Sequence, residues 1–234
     1  MSASQIRFTL FLTLGSLLFS LKAQSGEYIT VRDMETWSSI NLDYKASKKF
    51  KLGLGQQLRM EDNTSNVQQY FTNLYGEYKL SKAFKLGLEG RFIRDNDDEG
   101  KIQGYENHLR WALYTGFQHD VNRFNLKYRL QYQNKNELGV SSSEGVVAIE
   151  KIRLKLGARY NIPKWKLDPR FSAEVFRNIG STNQFSKIRG TLGTKYSFKN
   201  AGTLGVFFRI EKELNQTYPL TSHVIGLNYT YTIT

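Results

Sequence analysis

Through most of its length the chain alternates, residue by residue, between apolar and polar side chains. Phe50, Leu52, Leu54, Leu58 and Met60 hold one phase, and Lys51, Gly53, Gly55, Gln57 and Arg59 hold the other. The same pattern returns with Phe84, Leu86, Leu88 and Phe92 against Lys85, Gly87, Glu89 and Arg91, and with Phe124, Leu126, Tyr128, Leu130 and Tyr132 against Asn125, Lys127, Arg129, Gln131 and Gln133. Ile152, Leu154, Leu156, Ala158 and Tyr160 oppose Arg153, Lys155, Gly157 and Arg159, and a last run, Ile225, Leu227, Tyr229, Tyr231 and Ile233, closes the chain. A period of two sends successive side chains to opposite faces of a strand, so each run predicts a strand with one greasy and one polar face.

The connections between runs alternate as well. Ala46 to Lys49, Ser81 to Ala83, Asp120 to Asn122, Asn161 to Lys164 and Lys199 to Ala201 are short; Glu61 to Asn66, Asp95 to Gln103, Asn134 to Glu144, Asn178 to Gln184 and Lys212 to Pro219 are longer and more polar. Tight turns at one end and larger loops at the other are the habit of outer-membrane barrels. Eleven strands follow from Thr36 onward, and an even number would bring both termini to one side, so Tyr28 to Arg32 is expected to supply a twelfth; ten strands is the alternative count. Tyr44-Lys-Ala-Ser-Lys-Lys-Phe-Lys-Leu-Gly-Leu54 recurs as Tyr78-Lys-Leu-Ser-Lys-Ala-Phe-Lys-Leu-Gly-Leu88, with nine of eleven positions identical, which marks two equivalent hairpin turns. The predicted fold is all-β: a single antiparallel up-and-down transmembrane β-barrel.

Composition agrees with strands. Aromatic residues are 14% of the chain and prolines number only three. A mean hydropathy of −0.49 would exclude a helical membrane protein, but a barrel offers lipid only every second side chain. Aromatic residues crowd the short-turn ends, among them Tyr44 and Phe50, Tyr78 and Phe84, Tyr160 and Trp165, and Tyr196 and Phe198, as an interfacial girdle requires. At the N-terminus Arg7 precedes the apolar run Phe8 to Leu21 and then Lys22-Ala23-Gln24, the order of a secretory signal; residues 1–23 are expected to be removed, leaving 24–234 as the barrel domain. The chain has no cysteine, so disulfides, thiolate metal sites and lipidation at a first mature cysteine are excluded.

Charge sharpens the picture. The polar phase carries Lys51, Arg59, Lys85, Arg91, Arg110, Lys127, Arg129, Arg153, Lys155, Arg159, Arg170, Lys187, Arg189, Lys195 and Arg209, fifteen bases, against the five acids Glu77, Glu89, Glu106, Glu174 and Glu211. That excess of ten matches the net charge of +12 less Arg7 and Lys22, so the positive charge is expected inside the barrel. Arg59, Arg91, Arg110, Arg129, Arg153, Arg189 and Arg209 form the candidate ligand-binding set, an arginine belt that would favour small anions in the lumen. The other reading of the belt is a structural network neutralised by glutamates, tyrosines and inward-folded loops. Gly53, Gly87, Gly116, Gly157, Gly193, Gly205 and Gly226 share the inward phase and make room for bulky neighbours such as Tyr75 and Phe207.

Other chemistry has little footing. Asp95, Asp97, Glu99, Gly100 and Glu106 approach the spacing of a calcium loop, with Glu99 departing at the fifth position and strands replacing the flanking helices. The histidines are His108, His119 and His223; Ser222 adjoins His223, but strand neighbours point apart, so the two cannot pair as nucleophile and base. No enzyme, cofactor or metal site is expected, and the secretory signal argues against nucleic acid as a partner. The expected partners are outer-membrane lipids and a small anionic solute. The expected function is that of an integral outer-membrane barrel acting as a narrow pore, a ligand-binding barrel or a structural component; the alternatives are a soluble periplasmic lipocalin-like binder, with the apolar phase lining its cavity, and a barrel-embedded hydrolase using His108.

Trp37, the hairpin segment YKASKKFKLGL, the stretch GRFIRDNDDEGKIQGYENHLR from Gly90 to Arg110, RLQYQNKNELG from Arg129 to Gly139 and the closing HVIGLNYTY together resemble an uncharacterised bacterial outer-membrane barrel family, domain of unknown function 2490. The resemblance implies a fold and an outer-membrane location, and no activity.

Overall fold

A computed structural model describes residues 31–97, 103–140, 148–180 and 183–234. Eleven strands form among these residues: β1 (Val31–Tyr44), β2 (Phe50–Glu61), β3 (Asn66–Lys79), β4 (Phe84–Asp97), β5 (Gly104–Val121), β6 (Phe124–Glu137), β7 (Ile149–Tyr160), β8 (Arg170–Ile179), β9 (Phe185–Ser197), β10 (Thr203–Glu213) and β11 (Leu220–Ile233). Each pairs with its sequence neighbour in antiparallel register, and β1 meets β11 to close the barrel.

Closure comes at eleven strands, and the seam is parallel, running from Val31 beside Leu220 to Tyr44 beside Ile233. Of the expected twelfth strand, Val31 and Arg32 open β1, and residues 28–30 lie outside the described residues, as does the signal segment 1–23. Nothing between Arg32 and Thr36 breaks a strand: the intervening Asp33, Met34 and Glu35 include neither glycine nor proline, so one continuous ladder takes both pieces.

The connections 45–49, 80–83, 122–123, 161–169 and 198–202 sit at one rim with Ile233, here called the turn rim, and the loop rim lies opposite. The length contrast between the two rims is smaller than expected. Segment 161–169 is longer than a tight turn, while the β2–β3 connection at the loop rim is only 62–65, where Asp62, Asn63 and Thr64 all take left-handed conformations and the Asp33 carboxylate accepts the backbone N–H groups of Asp62 and Asn63.

The apolar rows face outward around the whole wall. Leu54, Leu74, Leu88, Leu113, Leu130 and Leu192 each keep half or more of their surface exposed, while Trp37, Phe71, Ala112 and Val224 on the inward face are buried. This arrangement overturns the lipocalin-like alternative, in which the apolar rows would line the cavity. Rings cluster on both rims: Phe84 with Phe117 and Phe124 with Tyr160, each at 4.9 Å, near the turns, and Tyr70 with Tyr105 at 5.6 Å and Trp111 with Tyr132 at 5.2 Å near the loops. An outer face of this kind is stable where acyl chains contact its middle and headgroups meet its aromatic edges.

Inside, rings lie flat on glycines of the adjoining strand. A Cβ at Gly53 would fall 2.2 Å from the Tyr75 ring, at Gly87 2.1 Å from Tyr114, and at Gly226 1.9 Å from Phe207. Each glycine therefore gives its neighbour's ring a bare stretch of backbone to cover. Gly157 differs, with its nearest neighbour at 3.7 Å.

Candidate functional site

All seven arginines of the candidate set line one cavity of about 330 Å³ in the mid-wall lumen. Strand parity brings them there: Arg59 on β2, Arg91 on β4, Arg110 on β5, Arg129 on β6, Arg153 on β7, Arg189 on β9 and Arg209 on β10 are all inward positions. Arg91 and Arg110 stand directly opposite each other across β4 and β5, an unfavourable pairing unless an acid lies between them. Glu89 supplies it, accepting from Arg91 at 3.1 Å and from Arg110.

Two further glutamates organise the other side. Glu174 accepts from Arg153 at 2.7 Å and Arg189 at 3.1 Å, and Glu211 lies 2.5 Å from Arg189, 3.3 Å from Lys187 and 3.8 Å from Arg209. Rings complete the belt. The Arg59 guanidinium sits 3.6 Å over Trp37, Arg91 3.8 Å over Phe71, Arg153 4.6 Å over Phe176 and Arg129 4.4 Å over Tyr114. A ring face attracts a cation without cancelling its charge. Among the described residues neither Arg59 nor Arg129 has an ion pair, so three glutamates pair with five of the seven arginines. Three buried nitrogens, Arg59 Nε, Arg110 Nε and Gln131 Nε2, also lack a hydrogen-bond partner. The belt is thus both braced and cationic.

Several members of the site escaped sequence reasoning. Trp37, Phe71 and Phe176 hold the guanidinium groups, yet an aromatic residue in the polar phase carries no periodic signal of that role. Glu35 and Asp43 also face inward and were absent from the count of acids; Glu35, nearly fully buried, accepts from the Trp37 indole at 2.7 Å. Their signal was available, since both share the odd phase of β1 with Trp37.

A second cavity, about 670 Å³, opens at the turn rim and meets the first at Arg129, Phe207, Arg209 and Asn228. Of its lining, Glu77 and Lys85 pair at 2.6 Å, and behind them on β1 and β2 Lys51 lies 3.3 Å from Asp43 and 3.4 Å from Glu77. The Tyr75 hydroxyl donates to Asp43, and the Tyr114 hydroxyl donates to Glu77 at 2.6 Å.

The remaining candidates are dispersed. His108 Nε2 lies 3.2 Å from Glu106 and 3.8 Å from Asp95 at the loop rim, whereas His119 stacks on Tyr128 and His223 on Phe208 on the outer face. Asp95 and Glu106 are cross-strand partners in the β4–β5 ladder, and Asp95 accepts from Lys135 at 2.8 Å. The calcium-like spacing therefore has its first and last positions inside strands. Glu99 and Gly100 lie outside the described residues, and among the described residues no three candidate metal ligands cluster.

The fold and its interior define a closed β-barrel, antiparallel except at its parallel seam, with an apolar outer face and arginines lining an interior cavity. The chain belongs to the family described as protein of unknown function (DUF2490), whose model matches residues 34–217. Among solved structures it is similar to the beta domain of the Bordetella autotransporter BrkA, at 12% identity and a TM-score of 0.46 over 79% of this chain and 82% of that one. No curated protein matches it.

Proposed function

We propose that the protein is an integral outer-membrane β-barrel that takes small anions into its lumen and holds them at the arginine belt. The observation that carries this reading is the imbalance within the belt, where seven arginines share three glutamates and Arg59 and Arg129 make no ion pair among the described residues. The outward rows of leucine and phenylalanine support the membrane assignment, with outer-membrane lipids as their partner and no nucleic acid. Eleven strands enclose more space than eight, whose interior side chains just fill, and far less than the sixteen or more of an aqueous porin, so inward arginines and rings make this passage narrow. We assign no catalytic role, because His108 keeps company with carboxylates and not with a nucleophile.

Reconstitution of the purified chain in planar bilayers under a potassium chloride gradient tests the reading. The reversal potential is expected to favour chloride, and Arg110→Gln with Arg129→Gln should move it toward potassium. Cation preference in the unaltered protein would sink the proposal, as would a silent protein whose Trp37 emission ignores titrated anions. Extraction from membranes by salt alone would remove the membrane assignment.

A further inference from the structure

The β6–β9 side of the turn-rim cavity has no acid free for its cations, since Glu174, opposite Lys155 across β7 and β8, is already held by Arg153 and Arg189. Lys127, Lys155, Arg170 and Lys195 line it, and none has an ion pair among the described residues. Arg159 stands directly opposite Arg170 across β7 and β8, and its nearest acid, Asp168, is 4.0 Å away and already accepts the backbone N–H of Ile162. The Nε atoms of both arginines are buried without a hydrogen-bond partner. Like charges set opposite each other destabilise a sheet. Here the repulsion stands while the wall beside it satisfies its own cations.

The floor between these cations is open. The cross-strand row runs from Lys127 through Gly157, Ser172 and Thr191 to Arg209, placing three small residues between two bases. At about 4.8 Å per strand that row spans roughly 19 Å. Nothing approaches the Gly157 position closer than 3.7 Å, whereas Tyr75 and Tyr114 cover the corresponding glycines of the opposite wall. The cavity of about 670 Å³ falls within the range of small-molecule sites.

We propose that this wall is a second binding site, distinct from the belt, for a soluble multivalent oxyanion bearing clustered phosphate groups and entering from the turn rim. A monovalent ion would answer one or two of these bases; a chain of phosphates answers several at once. The patch faces water inside the wall while the leucine rows face outward, so the ligand is a free solute and not a membrane lipid. The inference needs only an aqueous lumen and does not require the belt to conduct.

Calorimetry on the full chain in detergent micelles, with inorganic triphosphate and orthophosphate as probes, tests it. Triphosphate is expected to bind at least tenfold more tightly than orthophosphate, and Lys127→Gln with Lys195→Gln should weaken triphosphate at least tenfold. Lys51→Gln, on the matched wall, and Arg110→Gln, in the belt, should each change it less than twofold. Heat-modifiable gel migration reports that each variant still forms a barrel, and either single lysine replacement substitutes for a pair that does not. Equal binding of the two probes, or a loss on Lys51→Gln as large as that of the pair, would overturn the proposal. So would an equal loss on Arg110→Gln, which would assign the binding to the belt. Because the bilayer experiment reads the belt and calorimetry reads this wall, either reading can fail alone.

Discussion

The two sides of the lumen at the turn rim are built from the same strand chemistry and reach opposite electrostatic outcomes. On the β1–β5 wall, Asp43 and Glu77 each take a lysine and a tyrosine hydroxyl, and two rings blanket Gly53 and Gly87. On the β6–β9 wall, four bases make no ion pair among the described residues, because Glu174 is taken by Arg153 and Arg189, and Gly157 lies bare. Since both walls belong to one barrel, the difference is not a demand of closure. A wall that folds by satisfying its own groups is structural; a wall that leaves charge and space unmatched is suited to a ligand.

The contrast can be broken most forcefully at its acid. Glu77→Gln would leave Lys85 without its acid and Lys51 with Asp43 alone, and is expected to cost about 3 kcal/mol, the scale for leaving a partly buried charged group without its partner, read from the urea midpoint of tryptophan fluorescence in lipid vesicles. Next comes the packing difference. Gly87→Ala would drive a methyl into Tyr114 and should cost about 2 kcal/mol in the same assay, while Gly157→Ala should change stability by less than about 0.5 kcal/mol. A smaller effect separates the lysines. Lys85→Gln should destabilise by about 1 kcal/mol by leaving Glu77 short of a partner, and Lys127→Gln should cost nothing or raise the midpoint slightly by relieving repulsion. The smallest effect is ionic. Raising sodium chloride from about 0.1 to about 1 M shortens the screening length from about 10 to about 3 Å, so it should stabilise the unaltered chain by a few tenths of a kcal/mol and the Lys127→Gln, Lys195→Gln variant by less. An equal salt response in the two would show that the wall's charges do not repel.

Much of this wall could be read from the sequence. The alternation Phe124 to Tyr132 against Asn125 to Gln133 is local, and a barrel turns local alternation directly into outside and inside, so the positions of Arg129, Arg153 and Arg189 followed from parity alone. Tyr75 and Phe207 beside inward glycines were legible for the same reason. Pairing partners were not. That Glu174 bridges Arg153 and Arg189, or that Trp37 sits under Arg59, depends on register between strands, and register is set by turn geometry and by bulges such as those at Arg59/Met60 and Phe176/Arg177. The strand count came within one of the eleven described, and the difference lies at the seam, where Val31 meets Leu220 across nearly the whole described chain and no local pattern records whether two distant strands run the same way.

That seam has a practical corollary. Because β1 and β11 run in the same direction, Val31 and Ile233 stand at opposite rims. On the outer-membrane reading proposed above, an epitope inserted at Val31 and another appended after Ile233 would therefore answer to reagents on different sides of the bilayer. A pair of antibodies is enough to read the parity of the barrel.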